Sequence, residues 1–286
     1  MRPHERHERI LKRVSETGRV DIDALSAELG VSVVTARRDL ALLEADGAVR
    51  RVYGGATRIS SGSYEPPFAV RAKLRTTAKR EVASAVAGLV DDGQTVVLDA
   101  GSTGIAIAEQ LANRQITVCT PSLRVAAALV SSGSVRLMVT GGMVRPGEQS
   151  LVGSAAGRML EDYHFDLYIM TVSGADANNG FTEWHPDDAD VKRSALKAAS
   201  RCIVACDSTK IGQTAFARIC GLAAAELLVT DSAITDEQRS ALEARGLEVR
   251  VTATPATPAR PARPAALGAF GEDGGPGAED HEEVGL

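Results

Sequence analysis

The chain has 286 residues, more than one small domain uses and enough for two. Hydrophobic residues make up 44%, enough for a sizeable core, and a net charge of −5 argues against adsorption of the whole chain to a polyanion. The charge is unevenly spread: residues 1–60 carry eleven Lys and Arg against nine Asp and Glu, whereas residues 252–286 carry two against six. One end can therefore meet an anion while the whole stays acidic. Cys119, Cys202, Cys206 and Cys220 include no CxxC pair and read as buried, reduced thiols. The charged first ten residues lack a signal-peptide core, and no apolar run reaches the ~18 residues that span a bilayer. A soluble, cytoplasmic chain without a membrane partner is expected.

In chain order, residues 5–17 place Ile10, Leu11 and Val14 on one helical face, with Gly18 as the stop. A second helix opens at Asp21 and ends at Gly30; a third opens at Ser32 and ends before Gly47. In the third, Ala36, Leu40 and Leu43 form a core stripe, which turns Arg37 and Arg38 away from the core. The stretch AVRRVYGGATRI then reads as a hairpin turning at Gly54-Gly55. Three helices and a hairpin make a winged helix-turn-helix domain over residues 1–57. Residues 58–75, with Pro66-Pro67, read as a linker.

From Thr76 to residue 251, short β-branched runs alternate with helical stretches, which predicts an α/β domain with a mostly parallel, helix-covered sheet. The expected strands lie in TVVLDA, ITVCT, VRLMVTGG, FDLYIMTVSGAD, CIVACDS and ELLVTD. Residues 252–286 are Pro/Ala-rich and then acidic, and read as a disordered tail.

The helix-turn-helix places the N-terminal residues of its third helix in a DNA major groove. Ser32, Val33, Thr35, Arg37 and Arg38 would meet double-stranded DNA there, by phosphate contact or by an arginine forked onto guanine. Arg50 and Arg51 would extend the contact from the wing, and Gly54-Gly55 would let its tip approach closely. The alternative is a solvated face with these arginines paired to Asp39, Glu44 and Asp46. The run from Arg6 to Ala56, RHERILKRVSETGRVDIDALSAELGVSVVTARRDLALLEADGAVRRVYGGA, closely resembles the N-terminal DNA-binding domain of DeoR-family bacterial transcriptional regulators. Ser32, Thr35, Arg37, Arg38, Asp39 and Leu40 stand in register with the family pattern; Ala36 replaces its isoleucine and Tyr53 its histidine.

Polar residues cluster at the predicted strand ends, where open α/β sheets bind ligands. They are Asp99, Gly101, Ser102 and Thr103; Thr120 and Ser122; Gly141 and Gly142; Gly174 and Asp176; and Asp207 with Lys210. Hydroxyls and free amides at a helix start suit a phosphate, Lys210 adds a point charge, and carboxylates suit sugar hydroxyls. Together they fit a small phosphorylated polyol. The resemblance implies the same: this part is similar to the DeoR-type sensor domain, whose fold is that of ribose-5-phosphate isomerase, and Asp190-Val191-Lys192-Arg193 resembles its Glu-Val-Lys-Arg helix. Pro121 and Gly104 stand where the family carries side chains able to hydrogen-bond.

WHPDDAD, with Trp184, His185, Asp187, Asp188 and Asp190, reads as an exposed acidic loop opening a helix rather than a metal site. No convincing Ser-His-Asp set is present, so no catalytic residue, metal or cofactor is expected. The expectation is a homo-oligomeric DNA-binding repressor of a carbohydrate operon, gated by a phosphorylated sugar or related metabolite. The rivals are a sugar-phosphate isomerase with an appended DNA-binding domain, and an architectural DNA-binding protein without an effector.

Overall fold

The computed structural model describes residues 1–45, 48–57 and 64–252. Asp46, the expected helix stop at Gly47, part of the expected linker and the tail from residue 253 lie outside these residues.

Helix α1 (Pro3–Thr17) has proline at its first position, where no intrahelical N–H is needed. Gly18 ends it at φ +73° and donates to the Val14 carbonyl at 2.9 Å. Strand β1 (Arg19–Asp21) leads into α2 (Ile22–Leu29), whose start is capped by Asp21 Oδ1, accepting from the amides of Asp23 and Ala24 at 2.9 and 3.2 Å. Ser32 Oγ accepts from the Thr35 amide at 3.1 Å and opens α3 (Val33–Ala45). Ile10, Val14, Leu25, Ala36, Leu40 and Leu43 close a small core, each at most 2% exposed.

The wing comprises β2 (Arg50–Val52) and β3 (Gly55–Thr57). It is one strand wider than a hairpin, because β3 pairs antiparallel with both β2 and β1. The turn falls at Tyr53 and Gly54, not at Gly54-Gly55. Gly55 is buried within β3, where a Cβ would lie 1.9 Å from the Val20 carbonyl oxygen, so only glycine fits.

The stretch expected as linker contains α4 (Phe68–Lys73), with Val70 buried, followed directly by α5 (Thr76–Ala87). Then come β4 (Thr95–Leu98), α6 (Gly101–Leu111), β5 (Thr117–Thr120), α7 (Leu123–Leu129), β6 (Arg136–Val139), the small hairpin β7 (Met143–Val144) and β8 (Leu151–Val152), and α8 (Ser154–Glu161). The remainder is β9 (Phe165–Thr171), β10 (Gly174–Asp176), β11 (Gly180–Glu183), α9 (Pro186–Ala198), β12 (Ala199–Ala205), β13 (Ala217–Cys220), β14 (Leu227–Thr230), α10 (Asp236–Glu243) and β15 (Glu248–Val251).

Seven strands form one parallel sheet in the order β15-β14-β12-β9-β4-β5-β6. Successive residues serve opposite faces: Val97, Tyr168 and Val204 join one core cluster, whereas Val96, Leu98, Ile169 and Ile203 join the other. Chain order reverses between β4 and β9, which opens a crevice at their carboxyl ends. A second, antiparallel sheet, β10-β11-β13, departs from the expectation: β10 falls within the run FDLYIMTVSGAD, and β11 and β13 lie outside every expected strand. Cys119, Cys202 and Cys206 are buried and Cys220 partly so; burial pushes the Cys119 thiol up to about 12.

Candidate functional site

Arg37, Arg38 and Arg50 are exposed and make no ion pair among the described residues. Of the acids that could have neutralised them, Asp39 and Glu44 lie among the described residues, and neither pairs with Arg37, Arg38 or Arg50. Asp39, 3% exposed, accepts from Arg6 Nε at 2.7 Å and Nη2 at 3.0 Å, and lies 3.1 Å from His7 Nε2. Burial works to raise the Asp39 carboxyl, but Arg6 and His7 outweigh it and hold the carboxyl below its ordinary value. His7 is thus half-buried against Asp39. Glu44 accepts from the Arg51 amide at 2.9 Å and faces its guanidinium at 3.6 Å, so Arg51 alone of the four arginines is held.

Two of the expected DNA-contact residues are placed otherwise. Val33 packs against the head core, leaving Val34 76% exposed, and Gly55 is buried. Ser32, Thr35, Arg37, Arg38, Arg50, Arg51 and Gly54 remain at least partly open to solvent.

In the second domain the crevice between β4 and β9 widens into a cavity of about 1180 Å³, which Glu5, Glu8, Arg9, Leu11 and Lys12 of α1 also line. Asp99, Gly101, Ser102, Thr103, Asp207 and Lys210 line it, as expected. Asp99, at the end of β4, accepts from the Thr171 amide at 3.0 Å and the Tyr168 hydroxyl at 3.2 Å, across the reversal point of the sheet. The start of α6 presents Gly101, Ser102 and Thr103 with the positive end of the helix dipole. Asp207 accepts from the Thr209 amide at 3.1 Å and folds the turn that carries Lys210. The half-buried Lys210 ammonium lies 4.4 Å from the Trp184 ring centroid, and burial lowers its pKa despite Asp207.

The other expected contacts do not line the cavity. Thr120 is fully buried, and Ser122 Oγ caps α7 by accepting from the Val125 amide at 3.3 Å. Gly141 stands outside the lining; Gly142 and Gly174 press against the backbones of Val152 and Gln213. Asp176 folds the turn between β10 and β11, accepting from the amides of Asn178 and Asn179 at 3.0 and 2.9 Å. These glycines and short polar residues serve chain turns and close packing.

In their place the fold brings in a set of charged residues. Lys192, 4% exposed on α9, bridges Asp99 and Glu183 (3.2 Å) and donates to the Thr171 carbonyl at 2.9 Å. Burial opposes the Lys192 charge, but Asp99 and Glu183 outweigh it and raise its pKa. Glu183 is lowered in turn, Lys192 and Ser173 overcoming its burial. Asp188, expected in an exposed acidic loop, is buried; it accepts from Ser150 Oγ at 2.7 Å and pairs with Arg145 at 2.8 Å. Among the described residues no group of three metal-ligating side chains exists.

The stretch leading from the head into α5 supplies the third wall. Glu65 pairs with Arg145 at 2.7 Å and with Arg71 at 3.0 Å. Arg71 also meets Glu148, and its guanidinium lies 5.2 Å from the Trp184 ring centroid. Arg75, held at φ +56°, reaches Ser208 Oγ at 3.0 Å and the Asp231 carboxylate. Lys79 donates to the carbonyls of Arg71 and Leu74, and burial lowers its pKa to about 8. Lys192 had a sequence signal in the family helix, and Asp231 had one in its place at a strand end. Glu65, Arg71 and Arg75 had none.

These two sites match a known pairing. The signature of the DeoR-like helix-turn-helix domain covers residues 6–62, and that of the DeoR C-terminal sensor domain covers residues 74–232. A protein of Escherichia coli O157:H7, named provisionally as the aga operon transcriptional repressor, is 35% identical over 86% of this chain and 92% of its own length. The regulator GolR of Listeria innocua is 30% identical over 88% and 99%, and GlpR of Haloferax volcanii 30% over 87% and 98%. A ribose-5-phosphate isomerase from Methanocaldococcus jannaschii aligns over 46% of this chain and 52% of its own, at 16% identity and a TM-score of 0.35. The chain belongs to the DeoR family of transcriptional regulators.

Proposed function

We propose that the chain is a cytoplasmic, homo-oligomeric repressor whose head binds an operator and whose cavity takes a phosphorylated polyol as effector. Ser32, Thr35, Arg37, Arg38, Arg50, Arg51 and Gly54 form the DNA face. Gly101, Ser102, Thr103 and Lys210 take the phosphate with Arg71 or Arg75, and Asp99 and Asp207 take hydroxyls. One observation carries this reading: residues 64–75, which join head to sensor, furnish Glu65, Arg71 and Arg75 to the cavity wall.

Glu65, Glu148 and Asp231 pair with these guanidinium groups. An incoming phosphate competes for the same donors, so binding it redistributes the ion pairs that hold the connecting segment. A ligand shifts DNA affinity only by the difference in its affinity for the two arrangements. Paired heads are required because half-sites recur about one helical turn, roughly 34–36 Å, apart.

The test is a thermal-shift screen of the full chain against sugar phosphates, each hit being re-measured for its effect on DNA binding. A stabilising ligand that changes DNA affinity supports the reading; a ligand that stabilises without any effect on DNA argues against gating. Lys210→Ala is expected to remove the response and leave DNA binding intact. The isomerase reading draws on Asp99, Lys192 and Glu183 beside the cavity. It is disfavoured because the relatives that match nearly the whole chain are named as transcriptional regulators. Turnover of a pentose or hexose phosphate would reinstate it.

A further inference from the structure

The first turns of α3 offer solvent a limited choice of groups. Ser32 Oγ and Thr35 Oγ1 bond one another at 2.9 Å, and Ser32 also takes the Thr35 amide, so both hydroxyls have local partners. Arg37 and Arg38 are exposed and make no ion pair among the described residues. The third exposed element is apolar: Val34, 76% exposed, one turn before Arg38 on the same side of the helix. A lone exposed aliphatic residue ordinarily needs no explanation. Here its neighbours are the cations of a helix end that lies in the major groove if the head binds DNA as proposed.

A β-branched side chain in a helix has essentially one rotamer, so the two Val34 methyl groups are held in place without an entropic cost on binding. They offer no hydrogen bond. The apolar feature on base edges in the major groove is the 5-methyl group of a pyrimidine. We propose that Val34 is a specificity-determining residue that reads a pyrimidine 5-methyl group in the operator, beside a guanine taken by Arg37 or Arg38. The inference rests on the DNA-binding reading of the head. The helical rise of 1.5 Å per residue separates Val34 from Arg38 by about 6 Å along the axis, and base pairs stack about 3.4 Å apart. The methylated pyrimidine then falls within about two base pairs of the guanine.

The experiment starts from a duplex selected out of a random library by the full chain. Each thymine is replaced in turn by deoxyuridine, which removes only the methyl group, and each cytosine near the contacted guanine by 5-methylcytosine. Loss of the critical methyl, or its addition where the site holds cytosine, is expected to change wild-type Kd by about fourfold, the worth of one buried methylene-sized group. The same replacement is expected to leave the Kd of Val34→Ala unchanged, with the fold checked by its melting curve. A methyl effect of equal size in wild type and Val34→Ala, or no methyl effect at any position, overturns the proposal. Arg38→Ala separates the two levels: if it weakens binding while the methyl series is flat, the DNA-facing helix stands and the role of Val34 falls. If Arg37→Ala, Arg38→Ala and the methyl series are all silent, the placement of α3 falls too.

Discussion

Arg37 and Arg38 stand in water with no ion pair among the described residues, whereas Arg71, Arg75, Arg145 and Lys192 each lie against a carboxylate. The difference follows from where each anion comes from. A duplex brings a dense row of charges to the surface, so free, hydrated cations can wait for it at little cost. A cavity cannot leave several cations unpaired in a low dielectric, so the fold neutralises them with its own acids until a ligand competes. Charge on the exposed face of α3 is therefore a matter of affinity, and charge in the sensor cavity is first a matter of stability.

The largest expected effect tests that division directly. Lys192→Met strands Asp99 and Glu183 together in a buried site and should cost about 3–5 kcal/mol in urea unfolding. Arg38→Ala, removing an equal charge from an exposed helix face, should change stability by less than about 0.5 kcal/mol. Equal losses would erase the contrast. Next comes a pH effect on the sensor alone. Lys79, lowered to about 8, is neutral in the folded state and protonated in the unfolded state between about pH 8 and its ordinary 10.5. The unfolded state binds more protons at Lys79 in that window, so the Lys79 contribution to stability should rise with pH across it, by about 3 kcal/mol, while the buried thiols, held above their ordinary value, contribute with the opposite sign. Lys79→Met should remove this rise, read as the difference between variant and wild type in pH-dependent denaturation.

The head should answer to DNA. Arg37→Ala or Arg38→Ala should weaken operator binding by about 1–3 kcal/mol where the arginine meets a base, with ligand binding unchanged in calorimetry. The smallest effect lies within the head: Glu44→Gln releases Arg51 and should tighten DNA binding by less than about 1 kcal/mol, with a steeper salt dependence. Weaker binding would mean that Glu44 orients Arg51.

The head was legible because its signals are local. Caps at Asp21 and Ser32 and the stripe of Ala36, Leu40 and Leu43 act within a few residues of one another. The parallel sheet was legible from its β-branched runs, and Asp99, Gly101, Ser102, Thr103, Asp207 and Lys210 from their places at strand ends. Two things were hidden. A glycine or short polar residue at a strand end looks the same whether it meets a ligand or the backbone, and Ser122, Gly142, Gly174 and Asp176 do the latter. Arginines after Pro66-Pro67 resemble a solvated linker, and only the packing of α4 and α5 onto the sheet turns Arg71 and Arg75 toward the cavity. Pattern in the chain cannot register a contact such as Arg75 with Asp231, made between distant segments.

Pairing of β3 with both β1 and β2, sealed where Gly55 presses on Val20, gives the head the property of a calliper. Its two jaws, α3 and the wing, share one small core, in which Ala36, Leu40 and Leu43 pack with Ala56, and cannot be set independently. The span that an operator half-site must match is thus a fixed length of the protein. One inserted base pair between the two contacts displaces one jaw by about 3.4 Å and leaves it no means of following.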